Sequence, residues 1–200
     1  MSSGYFEKGA APGGGPTARG RNSAAAARAA ESGPPGTGYA TLKTVTRILS
    51  RADILEQRAR WRAEGKSVVF TNGCFDLLHP GHIRLLEQAR SLGDVLILGL
   101  NSDAGVRRTK GPSRPILDER ERAELAGELA AVDAVVLFDE ETPRDLIAAV
   151  LPDILVKGAD WSHFIAGREE VEQAGGLVIA LDLEPGYSTT NLVDSLTSQP

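Results

Sequence analysis

The stretch SVVFTNGCFDLLHPGHIRLLEQARSLGD, residues 67–94, predicts both the fold and the chemistry of this chain. It starts with an apolar run, continues through a glycine-containing turn and reads HPGH at residues 79–82. Proline disfavours the α conformation in the residue before it and is favoured at the first position of a helix. The stretch therefore predicts a strand followed by a helix that begins at Pro80, with His79 and His82 at its N-terminus.

The alternation of strand and helix continues to the end of the chain. Apolar runs predict further strands at DVLILGLN, AVVLF, DILVKG and GLVIALD. Helices are predicted over Pro80–Ser91, Glu119–Ala131, Pro143–Val150 and Arg168–Ala174, with a closing helix from Thr189. Continuous apolar strands separated by helices are typical of a parallel sheet covered on both faces. The prediction is an α/β fold, a Rossmann-like open parallel sheet of about five strands that binds its ligand beyond the strands' carboxyl ends.

Two segments precede this alternation. Residues 1–40 are largely Gly, Ala, Pro and Ser, a composition that predicts a disordered tail without a catalytic role. The stretch TRILSRADILEQRARWRAEG, residues 46–65, places Ile48, Leu49 and Leu55 near one helical stripe and predicts a lead-in helix that ends at Gly65. Residues 41–200 are therefore predicted to form one domain.

The composition limits the classes of partner that we expect and indicates the cellular compartment. The net charge is −5, which provides no basic field for a nucleic-acid backbone. The single cysteine, Cys74, excludes an internal disulfide. No apolar run reaches the roughly 18 residues that a membrane span requires. We expect a cytoplasmic protein that has neither a nucleic-acid nor a membrane partner.

The histidine pair lies where a helix offers partial positive charge and unpaired N–H groups. This position favours a large anion, most simply a phosphate, and Gly81 leaves the backbone open to such a ligand. Two other interpretations stay open. Each histidine could be structural, or H-x-x-H with Asp76 could bind a metal ion. The Walker and G-x-G-x-x-G patterns are absent, so the phosphate site must be of another kind.

Three more loops are predicted at the same edge of the sheet. The polar loop SDAGVRRTKGPSRPI, residues 102–116, is predicted to be a mobile cationic segment that carries Arg107, Arg108, Lys110 and Arg114. LVKGADW ends a strand in Lys157 and Gly158. GYSTTNL begins the last helix with the hydroxyls of Ser188, Thr189 and Thr190, which suit a phosphate. The convergence of four such loops predicts a phosphate site.

Taken together, TNGCFDLLHPGH, LGD, NSD, KGPSRPI, AVD, LPDILVKGAD and GYSTTN resemble the HxGH nucleotidylyltransferase superfamily, and within it the cytidylyltransferase-like domains of ADP-heptose synthases. The resemblance covers about residues 67–196. It implies an adenylyltransferase that converts ATP and D-glycero-β-D-manno-heptose 1-phosphate to ADP-heptose and pyrophosphate with Mg²⁺. A homodimer is a possible assembly that the resemblance itself does not decide. Because only the tail and one helix precede the domain, we expect a separate sugar kinase in the pathway.

The resemblance also implies roles for individual residues. The catalytic residues would be His79, His82 and Lys110, with Lys110 neutralising the α-phosphate. The residues expected to bind the nucleotide are Thr71, Asn72, Gly73, Phe75, Gly81, Arg122, Lys157, Gly158, Ser188, Thr189 and Thr190. The residues expected to bind the sugar phosphate are Asp76, Asn101, Asp103, Arg114 and Asp160. Arg122 lies 11 residues before Asp133 of the AVD motif, where the superfamily has an arginine that supports the phosphate site.

Two alternative functions stay open. One is a cytidylyltransferase that acts on a polyol or amino-alcohol phosphate, although Leu183 stands where glycerol-phosphate cytidylyltransferases have an arginine. The other is a nucleotide-binding sensor that retains the pocket without turnover. Cys74 is expected to be a packing residue rather than a nucleophile. Direct in-line attack by a phosphate oxygen needs no covalent enzyme intermediate.

Overall fold

A computed structural model describes residues 47–159 and 165–182, together with residues 186, 187, 189 and 193. The strands are β1 Ile48–Leu49, β2 Val68–Gly73, β3 Val95–Asn101, β4 Ala134–Phe138, β5 Ile154–Gly158 and β6 Leu177–Leu181. The helices are α1 Arg51–Ala63, α2 Pro80–Arg90, α3 Asp103–Lys110, α4 Glu119–Gly127, α5 Arg144–Val150 and α6 Arg168–Gln173. All strand pairs are parallel, in the order β1-β4-β3-β2-β5-β6.

The sheet is covered on both faces because its strands are apolar at successive positions. Every residue of β3 is buried. Phe70 and Ile97 belong to the core on one face, beneath α1 and α5, and Val69 and Leu96 belong to the core on the other face, beneath α2 and α4. Burial of both faces explains why these strands show no alternation of polar and apolar residues. The predicted α/β Rossmann-like fold is confirmed.

The order of the strands places the switch point of the sheet beside β2. From β2 the chain builds β3 and β4 on one side, and it then returns to place β5 and β6 on the other side. In open α/β sheets, ligands bind in the crevice outside the carboxyl ends of the strands at such a point. The HPGH sequence follows β2, so it lies at this crevice.

The beginning of the lead-in segment was predicted wrongly. Ile48 and Leu49, which were assigned to the helix, form β1 and pair with Val135 and Val136 of β4. The helix starts only after Ser50, whose hydroxyl accepts a hydrogen bond from the Asp53 N–H at 3.1 Å. Ser50 is a strong N-cap residue and separates strand from helix. The sheet therefore has six strands rather than five.

The polar loop after β3 is also different from the prediction, because its first half is α3. The Ser102 hydroxyl accepts a hydrogen bond from the Gly105 N–H at 3.0 Å and caps the helix. Gly111, with a φ of 94°, ends it. Serine at the start and glycine at the end are ordinary helix signals. Lys110 is therefore the last residue of a helix, and only the segment after Gly111 is a loop.

Two predictions concern residues outside the described ranges. The predicted tail, residues 1–40, lies there, as does most of the predicted closing helix, of which Thr189 and Val193 are described and helical. Within the described parts of the chain, no helix is long and apolar enough to cross a membrane.

Candidate active site

The start of α2 fixes the two histidines in space. His79 is the N-cap residue with extended backbone angles, and Pro80 is the first helical residue, as the sequence predicts. The backbone N–H of His82 donates to the carbonyl oxygen of His79 at 2.9 Å and also approaches Nδ1 of His79 at 3.3 Å. Because Nδ1 of His79 accepts this bond, the neutral ring carries its proton on Nε2. That N–H is the donor that His79 offers to a ligand.

The two imidazole rings are stacked, with centroids 3.7 Å apart and an angle of 15° between their planes. Burial, together with the nearby His79 ring, lowers the pKa of His82 to about 4, and burial lowers the pKa of His79 as well. Nδ1 of His82 is buried without a hydrogen-bond partner among the described residues. Both rings are therefore neutral at pH 7, and a bound phosphate anion would favour their protonation.

The structure gives a reason for glycine at position 81 that differs from the ligand access expected from the sequence. A Cβ atom at this position would lie 2.9 Å from Cβ of Tyr187 and 3.1 Å from Nδ1 of His79. Real Cβ contacts are almost never that short, so glycine is required by protein packing. Tyr187 occupies the space that a side chain at position 81 would fill. The predicted contact between Gly81 and the nucleotide stays a prediction.

The turn between β2 and α2 is strained and tightly packed. Phe75 is buried and has a φ of 44°, a left-handed conformation that costs energy for a residue with a side chain. A Cβ atom at Gly73 would lie 2.9 Å from the Phe75 ring. Thr71, at the end of the same strand, is 1% exposed. Close packing therefore holds this turn, and the predicted contacts of Thr71, Asn72, Gly73 and Phe75 with the nucleotide stay predictions.

Asp76 holds the loop that follows α3. One carboxylate oxygen accepts a hydrogen bond from Nε of Arg114 at 2.6 Å and forms an ion pair with Nη2 at 2.6 Å. The other accepts from the backbone N–H groups of Ile116 and Leu117, at 2.8 and 3.1 Å. Asp76 is 2% exposed. Asp76 and Arg114 thus bind each other, and their predicted contacts with the sugar phosphate stay predictions.

Arg122 connects three segments around the site. Its Nε donates to the Leu117 carbonyl at 3.1 Å, one terminal nitrogen donates to the Cys74 carbonyl at 2.7 Å, and the other donates to the Asp103 carboxylate at 2.7 Å. Arg122 is 1% exposed. Since each of its nitrogens already has a partner, Arg122 holds these three segments together, and its predicted contact with the nucleotide stays a prediction.

Positive charge converges on the position of Cys74. Burial raises the pKa of the Cys74 thiol, and the charges of Lys110, Arg122 and Lys157 oppose that rise. The thiol lies 3.9 Å from Oδ1 of Asn101, which is 9% exposed. A thiol with a raised pKa is a poor nucleophile, in agreement with a packing residue. The end of α3 and the end of β5 therefore both bring a lysine to the HPGH side of the sheet.

Lys157 also ties the two sides of the switch point together. Its ammonium donates to both the backbone oxygen and the side-chain oxygen of Asn72, each at 3.1 Å. Gly158, the last residue of β5, is buried beside it. Thr189, from the GYSTTNL segment, places its hydroxyl 3.5 Å from the Leu77 carbonyl. Ser188, Thr190 and Asp160 lie outside the described residues.

A cytidylyltransferase-like family model matches residues 70–194, which is more than half of the chain. The chain belongs to the cytidylyltransferase-like family. The prediction of a nucleotidyltransferase is confirmed, and the HPGH turn, α3 and the lysine of β5 all fall inside the matched region of this cytidylyltransferase-like domain.

Individual relatives agree with the family assignment. The domain is 51% identical over 166 residues to the bifunctional protein HldE of Azorhizobium caulinodans, covering 82% of this chain and 33% of that protein. It is 53% identical over 148 residues to the HldE of Syntrophotalea carbinolica, covering 74% of this chain and 30% of that protein. The chain thus spans about a third of the length of these curated relatives.

A solved structure is also similar. The crystal structure of the lipopolysaccharide core biosynthesis protein from Thermoplasma volcanium matches with a TM-score of 0.50 and 32% sequence identity. The match covers 60% of this chain and 98% of that chain.

The metal-ion interpretation of the histidines does not fit the cytidylyltransferase-like domain. Where the structure describes the chain, no group of three His, Cys, Asp or Glu side chains is placed to hold a metal ion. The His79 and His82 rings are stacked face to face, and both oxygens of Asp76 already accept hydrogen bonds. A resident Mg²⁺ would need free carboxylate oxygens. Asp76 therefore offers no free oxygen to an ion held at the histidines.

Two cavities flank this end of the sheet. One of about 440 Å³ opens beside His79 and includes Arg84 and Glu87. The other, of about 660 Å³, lies beside the first turns of α3 and α4 and contains neither histidine. The histidine side is the candidate active site in spite of the larger cavity, because donors and cations suited to a phosphate converge there.

The sequence did not identify two residues at the site. Tyr187 lies against the His79 ring with centroids 6.0 Å apart, and the guanidinium of Arg84 lies 5.5 Å from the centre of the Tyr187 ring. The available signal was the position of Tyr187 immediately before the hydroxyls of GYSTTNL. An aromatic residue in a loop has no periodicity, so its contact with α2 was not predictable.

Proposed function

We propose that this nucleotidyltransferase transfers the adenylyl group of ATP to D-glycero-β-D-manno-heptose 1-phosphate, giving ADP-heptose and pyrophosphate. The observation that carries the proposal is the stacked, neutral pair His79 and His82 at the N-terminus of α2, at the switch point of the sheet. A helix N-terminus with such donors suits the phosphates of a nucleotide. A match with proteins named HldE and with a lipopolysaccharide core biosynthesis protein supports a sugar substrate.

The proposed reaction is one in-line displacement at the α-phosphorus of ATP. A phosphate oxygen of the sugar 1-phosphate forms the new P–O bond, and the bond from the α-phosphorus to the bridging oxygen of the β-phosphate breaks. The electron pair leaves with pyrophosphate. The attacking phosphate is already ionised, so no general base is required, and catalysis consists of positioning and charge stabilisation.

The chain's residues have distinct parts in this proposal. Nε2–H of His79 and the ring of His82 donate to the phosphate oxygens, and Lys110 neutralises charge that develops on the α-phosphate. Lys157 and Ser188–Thr190 bind the remaining phosphates. Arg122, together with the pair Asp76–Arg114, holds the surrounding loops in place. Mg²⁺ enters as part of the substrate, bound to the phosphates of ATP.

The family description itself favours one alternative, a cytidylyltransferase. The test is a matrix of ATP and CTP, each with heptose 1-phosphate, glycerol 3-phosphate or choline phosphate, in which pyrophosphate release is measured. The proposal predicts release only with ATP and heptose 1-phosphate. Release from CTP with a polyol or choline phosphate would establish the cytidylyltransferase instead. Nucleotide binding without release in any combination would indicate a sensor.

A further inference from the structure

Four aromatic rings form a continuous row across the start of α2. Phe75 and His82 have centroids 4.8 Å apart, His82 and His79 are 3.7 Å apart, and His79 and Tyr187 are 6.0 Å apart. The last three rings are nearly parallel, with 15° between His79 and His82 and 17° between His79 and Tyr187. Phe75 is buried at one end, and Tyr187 forms the other end.

Tyr187 is held in this row from two sides. The Arg84 guanidinium lies 5.5 Å from its ring centre, within the range of a cation–π interaction. Its Cβ occupies the space above Gly81, where any larger residue would collide with it. The neighbouring Thr189 hydroxyl reaches the Leu77 carbonyl. Tyr187 and Thr189 therefore pack against the HPGH turn and against the residues just before it.

The hydrogen bond of the His79 ring does not determine the orientation of the ring plane, so a neighbouring ring is needed to hold that orientation. Nδ1 of His79 has one partner, the His82 N–H at 3.3 Å, which is near the long limit for a hydrogen bond. A single bond of this kind fixes one ring atom but allows the ring to rotate. The nearly parallel rings of His82 and Tyr187 restrict that rotation, because aromatic side chains favour offset-stacked packing.

We infer that Tyr187 is a positioning residue, whose ring acts through His79 to hold both imidazoles in the orientation that meets the α-phosphate. The inference rests on the proposed function for its kinetic consequence but not for its structural one. It needs the aromatic ring of Tyr187 and not its hydroxyl. Tyr187 is 41% exposed, so replacing it leaves the core intact.

The kinetic test compares Tyr187→Leu, which keeps bulk but removes the ring, with Tyr187→Phe, which keeps the ring. Leu125→Ala is the control, since Leu125 is a 47% exposed residue of α4 and is not part of the row of rings. We expect Tyr187→Leu to lower kcat by about tenfold with the Kd for ATP nearly unchanged, because misplaced catalytic groups cost rate rather than ground-state binding. Tyr187→Phe and Leu125→Ala should keep the wild-type kcat. An unchanged kcat in Tyr187→Leu, an equal loss in Tyr187→Phe, or weaker ATP binding alone would overturn the inference.

A second measurement separates this inference from the proposed function. The chain has only three histidines, so NMR of the histidine ring protons in the ligand-free protein gives few signals. Loss of the Tyr187 ring current should shift the His79 signals in Tyr187→Leu and leave them in place in Leu125→Ala. If wild-type protein releases no pyrophosphate, the proposed function is wrong. The NMR comparison still shows whether the Tyr187 ring stacks on His79. Unshifted His79 signals would show that the stack is absent.

Discussion

His82 is the residue whose ionisation differs most clearly from that of a histidine in water. Burial and the adjacent His79 ring lower its pKa to about 4, and Nδ1 has no hydrogen-bond partner among the described residues. A buried, unpaired ring nitrogen is costly unless a ligand satisfies it. This unpaired nitrogen therefore lowers the stability of the ligand-free site.

The lowered pKa of His82 predicts how stability depends on pH. Between pH 6.5 and about 4 the unfolded chain binds a proton at this histidine and the folded chain does not. The contribution of His82 to the free energy of unfolding is therefore complete above pH 6.5. It is lost as the pH is lowered toward 4, and the loss amounts to up to about 3 kcal/mol. Urea unfolding of wild type and His82→Gln across this range measures the effect. The wild type should lose stability more steeply than the variant, and parallel curves would contradict the lowered pKa.

At the residue scale, the sequence was most informative where a motif and its local geometry coincide. Pro80 and the flanking histidines could be placed correctly because the conformational limits of proline act on adjacent residues. The partners of Asp76 and Arg122 could not be predicted. Arg114 lies 38 residues after Asp76, and Cys74 lies 48 residues before Arg122, so these contacts depend on how the loops meet.

At the scale of elements, α3 and β1 show two different reasons for a wrong prediction. The caps of α3 were visible in the sequence, but its basic residues and the nearby prolines are also typical of a loop. β1 has two residues, too few for any period, and its pairing with β4 is a tertiary effect. The longer strands and α2 carry strong patterns and were predicted within about two residues.

Arg47, the residue before β1, is the first described residue that we expect to contribute to the stability of the fold. One terminal nitrogen of Arg47 lies 3.2, 3.1 and 2.8 Å from the carbonyls of Gly127, Leu129 and Val132. Arg47→Ala should therefore lower the free energy of unfolding by about 1–3 kcal/mol, because part-buried carbonyls lose a charged donor. Arg51→Ala is the control, since Arg51 forms an exposed ion pair with Glu140 that contributes little.

The same experiment includes a chain without residues 1–40. Such a deletion should leave turnover and Tm nearly unchanged, because the segment offers few apolar side chains for burial. Equal losses in Arg47→Ala and Arg51→Ala would contradict the importance of the Arg47 contacts. A large loss on deletion would show that the N-terminal segment contributes to the fold or to the site.

At the scale of the whole molecule, the topology brings the site together. β2 and β5 are neighbours in the sheet. In the chain, β2 ends at Gly73 and β5 begins at Ile154, so the 80 residues 74–153 lie between them. The hydrogen bonds from Lys157 to Asn72 therefore join residues that are 85 positions apart. A sequence pattern predicts the strands but does not give their order. The rule that ligands bind beyond the carboxyl ends nevertheless placed the HPGH turn and the end of β5, Lys157–Gly158, at one edge, and in the structure β2 and β5 are neighbours in the sheet.

In the proposed function, the histidine pair forms the phosphate site of a nucleotidyl transfer from ATP. The most direct measurement is kcat for pyrophosphate release from ATP and heptose 1-phosphate by wild type, His79→Ala and His82→Ala, with urea unfolding of each protein at pH 7. Each substitution removes a donor to the developing phosphate charge, so kcat should fall by about 10²–10³ while the protein remains folded. An unchanged kcat, or a loss that only follows the unfolded fraction, would contradict the claim.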